Sequence, residues 1–474
     1  MLTRQEMTDW LEERQERFIT MADTIWANPE VALTESKACM LQADALVRDG
    51  FTITRDVGGL PTAFVAEWGS GTPVLGFLGE YDALPGLSQK SQSGQEPVVP
   101  EGPGHGCGHN LLGTAALAAT MALKAWLEET GQSGTVRYYG CPAEETITGK
   151  VYMARAGVFD DLDAALTWHP GSVTTVQCGS SLAVDNMKFR FHGQTAHAAA
   201  APEMGRSALD AVELMNIGAN FLREHVIETA RIHYVITNGG GAPNVVPDDA
   251  EVWYFVRAPR RDQVEAITAR VREIARGATL MTGTTVEETY QCGAYNVLPN
   301  QTLADAAQAI LEEMGPILFT DAERVYAQAI ADAYPAHVRA GVVESHGLPA
   351  SLLDQSLTGD MFPPLDKGKV MPGSTDVADV SWIAPTCTVG TACWAIGVPG
   401  HSWGITATGA MSIGHKGMLH AAKALALTGA MLVNDPALVE RARAEHAEAT
   451  GSKAYRTPLP EGVQPPLPAA HARR

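Results

Sequence analysis

Two imidazoles and one thiol fall within five residues in the stretch His105-Gly106-Cys107-Gly108-His109, and Asn110 follows. Cys107 and His109 stand at i and i+2, so an extended turn can aim both side chains at one point. The glycines flanking Cys107 let the backbone bend there with no Cβ in the way. Sulfur and nitrogen donors at this spacing suit a metal ion, provided that further ligands come from elsewhere in the chain. A cysteine nucleophile with His109 or His105 as its base is the alternative, and the density of imidazoles favours the metal. Further candidates are Asp82, the adjacent Glu144 and Glu145, His169, and His401 in Pro399-Gly400-His401-Ser402. With Cys107 and His109 they form a mixed S/N/O set suited to Zn²⁺ or, in an oxygen-rich site, to Mn²⁺. The set is large enough for a pair of ions. Neighbouring side chains at i and i+1 point apart, so one of the two glutamates can bind metal while the other serves as general base.

These residues need a framework that converges them, and the apolar runs supply one. Residues 51–57, 62–68 and 73–81 read as strands. The third is almost wholly apolar, as expected of a central strand buried on both faces, and it ends at Glu80-Tyr81-Asp82. Residues 86–104 are a polar loop, and 111–127 an alanine-rich helix that can pack closely on a sheet. Strands at 135–139 and 164–168 deliver Glu144-Glu145 and His169, with a short helix at 149–156 between them. This alternation predicts an α/β doubly wound sheet with functional groups at strand ends. From about residue 185 the pattern changes. Strands at 187–191, 232–237 and 251–257, with helices at 205–224 and 261–277, predict a small ferredoxin-like α+β domain inserted into the first. The expected division is therefore 1–184, 185–295 and 296–474. Helices at 3–27, 34–49, 302–314, 321–341 and 417–433, a strand at 393–398 and a Pro-rich extended tail from 452 complete the reading.

A chain of 474 residues exceeds one compact core, which agrees with two domains. The formal net charge of -20 argues against non-specific binding of nucleic acid or anionic membranes. Seven scattered cysteines with no CxxC pair indicate free thiols and a reducing compartment, expected to be the cytoplasm. The charged N-terminus has no apolar signal core, and no run approaches the roughly 18 to 20 apolar residues of a membrane span. The chain has no G-x-S-x-G elbow, P-loop, H-E-x-x-H helix or zinc-deaminase pattern.

Taken together, Gly79-Glu80-Tyr81-Asp82-Ala83-Leu84, the run from Gly104 to Gly113, and Ala165-Leu166-Thr167-Trp168-His169-Pro170 resemble a known family. So do Gly205-Arg206-Ser207-Ala208-Leu209-Asp210-Ala211, Gly373-Ser374-Thr375-Asp376-Val377 and His415-Lys416-Gly417-Met418. The family is the co-catalytic metallopeptidases, which include aminoacylases, glutamate carboxypeptidases and auxin-conjugate hydrolases. The resemblance spans nearly the whole chain. It implies a catalytic domain with two divalent ions and an inserted lid domain used for dimerisation. It implies Cys107, His109, Glu145, His169 and His401 as ligands and Glu144 as general base. It also implies that His197 polarises the scissile carbonyl in the site of a neighbouring protomer, and that Asn244 and Arg257 hold the substrate carboxylate. The reaction implied is hydrolysis of the amide between an acyl group, expected to be aromatic, and an amino acid. p-Aminobenzoyl-glutamate, a product of folate breakdown, is the favoured substrate, and auxin-type or other N-acyl conjugates are the alternative. A reading of another class is a non-catalytic partner that completes the site of a related chain in a hetero-oligomer. The chain departs from the family where Glu80 replaces a ligand histidine and where Asn110 stands in place of an aspartate. His105 and His415 are spare imidazoles.

Overall fold

The computed structural model describes residues 4–468. The first residue of the predicted 3–27 helix and the last six of the Pro-rich tail lie outside them. Eleven strands form two sheets: β1 (Thr52–Arg55), β2 (Phe64–Ser70), β3 (Val74–Glu80), β4 (Gly134–Cys141), β5 (Ala164–Gly171), β6 (Thr175–Gln177), β7 (Ala183–His192), β8 (Arg231–Asn238), β9 (Asp249–Ala258), β10 (Thr285–Ala294) and β11 (Thr386–Ala392). The larger sheet has the order β1-β2-β4-β3-β5-β11-β6, and its strands β4, β3, β5 and β11 run parallel. From β3 the chain moves to β4 on one side, then returns past β3 to β5 on the other. The carboxyl ends of these strands therefore flank a switch in strand order, where a crevice forms in open α/β sheets.

The apolar character of β3 follows from its place at that centre. Leu75 and Phe77 pack into the cluster that holds the helices His109–Thr130 and Ser412–Asn434. Leu78 packs into the opposite cluster with Val151 and Leu162. The helix His109–Thr130 is long and apolar enough to cross a membrane, which counting of apolar runs does not reveal because Gly113, Thr114, Thr120 and Lys124 interrupt them. Its most apolar stretch is 94% buried inside the fold, so it is a core helix.

The second sheet is antiparallel, in the order β10-β7-β9-β8. Helices Ala208–Leu222 and Arg261–Thr282 pack against it, which gives the β-α-β-β-α-β succession of a ferredoxin-like domain inserted in the α/β chain. Inside it the buried Asp185 carboxylate ties three elements together. It accepts hydrogen bonds from Arg261 (2.6 Å), Thr268 (2.7 Å) and Tyr290 (2.5 Å).

Several elements differ from the sequence expectation. The helix predicted over 3–27 is two helices, Arg4–Glu13 and Gln15–Ala27, because Arg14 leaves the helical region at φ -110 and ψ 7. The 321–341 helix breaks into Asp321–Asp332 and Ala336–Ser345, with Pro335 between them unable to continue the first. The strand placed at 393–398 is instead β11, and residues 393–398 form a buried turn whose apolar side chains imitate a strand. Strand β10 lies at a sheet edge and carries the adjacent Glu287 and Glu288, which interrupt any apolar alternation. A helix at Pro436–Thr450 precedes the tail.

Candidate metal centre

The loop that carries His105 and Cys107 sits between β3 and the helix that begins at His109. Two glycines make this possible. Gly108 takes φ +78 just before the helix, and a Cβ there would meet Pro170 at 2.8 Å. One turn into the helix, a Cβ on Gly113 would meet the Glu80 carbonyl oxygen at 2.4 Å. The helix start therefore lies directly against the end of β3. Alternation along the strand end puts Glu80 and Asp82 on one side and Tyr81 on the other. Tyr81 is buried, and its hydroxyl donates to the Thr62 carbonyl.

His109 is fully buried between those two carboxylates. Its Nδ1 donates to Asp82 Oδ1 at 2.9 Å, and Asp82 Oδ2 accepts the Glu145 backbone N–H at 2.9 Å. One aspartate thus orients the imidazole and fixes the glutamate pair. Burial works against the Asp82 charge, but the adjacent His109 outweighs it and holds the carboxyl below its ordinary range. Glu144 and Glu145 occupy a single turn bracketed by Ala143 (φ 56) and Ile147 (φ 58), both non-glycine residues in the left-handed region. Such strain costs on the order of 1–2 kcal/mol per residue and persists where neighbours enforce it. Here Glu35 enforces it. Glu35 is fully buried, and its Oε1 accepts the N–H of Ala143 at 2.9 Å.

The donor atoms fall into three groups, one of them Glu80, His109 and Glu144, and the other two share Cys107. Cys107, His109 and His169 present donors within 4.8 Å of one another, and so do Cys107, Glu145 and His401. Cys107 Sγ lies 3.4 Å from His169 Nε2, and Glu145 Oε2 lies 3.3 Å from His401 Nε2. The buried His109 Nε2 and Glu145 Oε1 have no hydrogen-bond partner. Unpaired buried donors aimed at a common point, with sulfur, nitrogen and oxygen all represented, fit two divalent ions. The sequence-identified ligand set therefore converges. His105 and His415 stand apart from it. His105 is buried with Nε2 3.3 Å from the Ile25 carbonyl, and His415 pairs with Asp23 at 2.8 Å. Asn110 fastens the helix start, its Nδ2 donating to the Gly409 carbonyl at 3.0 Å.

Glu144 belongs to neither of the two groups that share Cys107. Burial, together with the nearby Glu80 and Asp376 carboxylates, pushes it well above its ordinary range. It lines a cavity of about 620 Å³ along with Cys107, Glu145, His169, His401 and Arg257. Arg257 projects from β9, its Nε buried without a partner and its guanidinium 5.4 Å from the Phe255 ring. Among the described residues it forms no ion pair, so its charge is available to a ligand. His197 and Asn244 are not brought to this cavity. Both are exposed on the inserted domain, where His197 pairs as an isolated bridge with Val245. Sequence reasoning missed the buried Lys150, which bridges Glu80 and Asp376 at 2.6 Å each. A lone lysine beside the apolar stretch Val151-Tyr152-Met153 is the signal that could have exposed it.

Two buried carboxyls outside the donor set give a pH prediction. Burial, with Asp82 adding to it, pushes Glu35 up to about 8, and burial pushes Asp379 up to about 7. Between pH 6.5 and 8 both are ionised in the unfolded chain but still partly protonated in the folded one. Unfolding then releases protons, so stability falls as pH rises. Below pH 6.5 the sign reverses for His105 and His169, which burial lowers to about 3 and about 4. The metal-free chain should therefore have a lower urea midpoint at pH 8 than at pH 6.5, and Glu35→Gln should shrink that difference. An unchanged midpoint across this window would show that Glu35 and Asp379 ionise normally.

A doubly wound sheet with metal donors at its switch point, carrying an inserted ferredoxin-like domain, defines the fold of a metallopeptidase. Residues 76–355 match Peptidase family M20/M25/M40, and the chain belongs to that family. It is accordingly a hydrolase of amide bonds. It is 45% identical over 468 residues to the B subunit of p-aminobenzoyl-glutamate hydrolase from Escherichia coli (strain K12), covering 96% of this chain and 97% of that one. It is 30% identical over 239 residues to the A subunit of the same enzyme from the same organism, covering 48% and 54% of the two chains. Among solved structures it is similar to an aminobenzoyl-glutamate utilization protein from Klebsiella pneumoniae. The TM-score is 0.62 and the identity 19%, over 91% of this chain and 98% of that one.

Proposed function

We propose that the chain hydrolyses p-aminobenzoyl-glutamate to p-aminobenzoate and glutamate, a step of folate catabolism. The observation that carries this reading is the 45% identity along nearly the full length of both chains. Cys107, His109 and His169 would hold one divalent ion and Cys107, Glu145 and His401 the other, as Zn²⁺ or Mn²⁺. When bound, such ions polarise a carbonyl and acidify water. Glu144 faces the same cavity, takes the proton from the attacking water and passes it to the leaving amine. Asp82 keeps His109 and the Glu144-Glu145 turn in register with each other. Arg257 pairs with the α-carboxylate of the amino-acid half, a planar two-point contact that guanidinium suits.

His197 and Asn244 act from the exposed face of the inserted domain, at the cavity of a second protomer. His197 supports the developing oxyanion, and Asn244 supports the carboxylate. That second protomer is another copy of this chain, docked through the inserted domain, or a related chain. The two different subunits in the relatives' names support the latter. All seven cysteines are unpaired, which supports a reducing, cytoplasmic setting.

The test uses the purified chain with added Mn²⁺ or Zn²⁺ and three substrates: p-aminobenzoyl-glutamate, indole-acetyl-aspartate and an N-acetyl amino acid. Release of p-aminobenzoate at the highest kcat/KM is the expected result. Preference for either other amide overturns the substrate assignment. Activity that appears only when a related chain is added, and survives Glu144→Gln in this chain, would make this chain a non-catalytic partner.

A further inference from the structure

Glu80 occupies a position that the two donor groups do not use, and its surroundings are too specific for a passive strand end. It is the last residue of β3, paired in register with Cys141 of β4, so the central sheet fixes its backbone. Its two oxygens have different partners. Oε1 is 2.6 Å from Lys150 Nζ, whereas Oε2 is 3.3 Å from His109 Nε2, the buried nitrogen that has no hydrogen-bond partner. Glu80, His109 and Glu144 also present donor atoms within 4.8 Å of one another.

Lys150 is itself held from two directions. Asp376 Oδ1 pairs with its ammonium at 2.6 Å, and Asp376 Oδ2 accepts its backbone N–H at 2.8 Å. The side chains of Lys150 and Asp376 are 0% exposed and that of Glu80 is 3% exposed. An ammonium buried this deeply carries a large desolvation cost, which is offset only where carboxylates surround it closely. Two carboxylates share one lysine charge here, so the trio keeps one net negative charge. Lys150 occupies Oε1, and the charge is therefore directed through Oε2 toward His109.

We propose that Glu80 is a further metal ligand, supplying Oε2 to the ion held by His109, and that Lys150 and Asp376 are positioning residues that aim it. Two donors that each bind one ion at about 2.0 to 2.2 Å lie roughly 3 to 3.5 Å apart, and the His109–Glu80 separation falls within that range. His109 is then flanked on both ring nitrogens by residues of one strand end: Asp82 orients Nδ1, and Glu80 joins Nε2 at the ion. The inference rests on the two-metal reading above and adds an oxygen to it. Glu80 takes over, as a carboxylate, the place where the resembled family has a histidine ligand.

The experiment is titration of the metal-free chain with Mn²⁺ by calorimetry, and with Co²⁺ followed by absorption, for wild type, Glu80→Gln, Glu80→Asp and Lys150→Met. Thermal midpoints establish folding. Glu80→Asp keeps the charge beside Lys150 but withdraws the oxygen by one methylene. In both Glu80 variants one of the two ions should bind about 10- to 100-fold more weakly, and the cobalt ligand-field bands should change. The thiolate-to-cobalt charge-transfer band of Cys107 should persist. Lys150→Met should weaken the same ion. Two ions bound at wild-type affinity by both Glu80 variants overturn this inference alone. Fewer than two ions in the wild-type chain overturn the two-metal reading and this inference together.

Discussion

Glu144→Gln should lower kcat by about 10²- to 10⁴-fold while both ions remain bound, which is the scale of a lost general base. The substitution keeps the shape of the side chain and removes only its capacity to take a proton. Its neighbour Glu145 is committed elsewhere: Oε2 is 3.3 Å from His401, and the backbone N–H is given to Asp82. Glu145 cannot take over the proton without leaving its ligand position. Glu144 Oε2 lies 4.0 Å from His109 Nε2 and faces the cavity, its side chain 13% exposed. The loss should therefore fall on kcat, with KM little changed, because the substitution leaves Arg257, the proposed carboxylate contact, untouched. Metal content measured by mass spectrometry separates this from a ligand defect. A variant with two ions and near-normal turnover would remove Glu144 from the role of base.

The α/β framework with its inserted domain was legible in the sequence, and so were donors that come together at the cavity. Cys107, His109, His169 and His401 are each adjacent to a glycine or a proline, and Glu145 follows shortly after the end of β4, and such punctuation survives in a single sequence. Asp82 was visible for the same reason, although its double duty joins it to partners 27 and 63 residues away, His109 and the Glu145 backbone. What the sequence concealed lies inside apolar stretches. Lys150 occurs in a short buried helix, and nothing in its local spacing points to Glu80, which is 70 residues earlier, or to Asp376, which is 226 residues later. Long-range ion pairs leave no periodicity. Residues 393–398 failed in the opposite way, since their apolar side chains read as a strand although they fill the core from a turn. The edge strand β10 was hidden because the consecutive Glu287 and Glu288 break the apolar alternation on which strand recognition depends.

Cys107→Ala should abolish tight binding of both ions, an effect larger than any single histidine substitution produces. Cys107 is the one residue common to the two groups, whereas His169→Ala removes a donor from the first only and His401→Ala from the second only. Each histidine variant should therefore keep one ion, and the cysteine variant neither. The same thiol makes metal uptake pH-dependent. Burial, reinforced by the Glu145 carboxylate, pushes Cys107 up to about 12 in the metal-free chain, so an ion must displace its proton in order to bind. With one proton released per pair of ions, the overall affinity should rise about tenfold per pH unit between pH 6.5 and 8.5 from this group alone. Cys107→Asp replaces the thiol with an oxygen donor that an ordinary pH already ionises, so the steepness should drop while some binding remains. Equilibrium dialysis at three pH values reads both effects. If Cys107→Ala retained one ion at full affinity, the two groups would not share the sulfur, and the site would have to be divided differently between His109, His169 and Glu145.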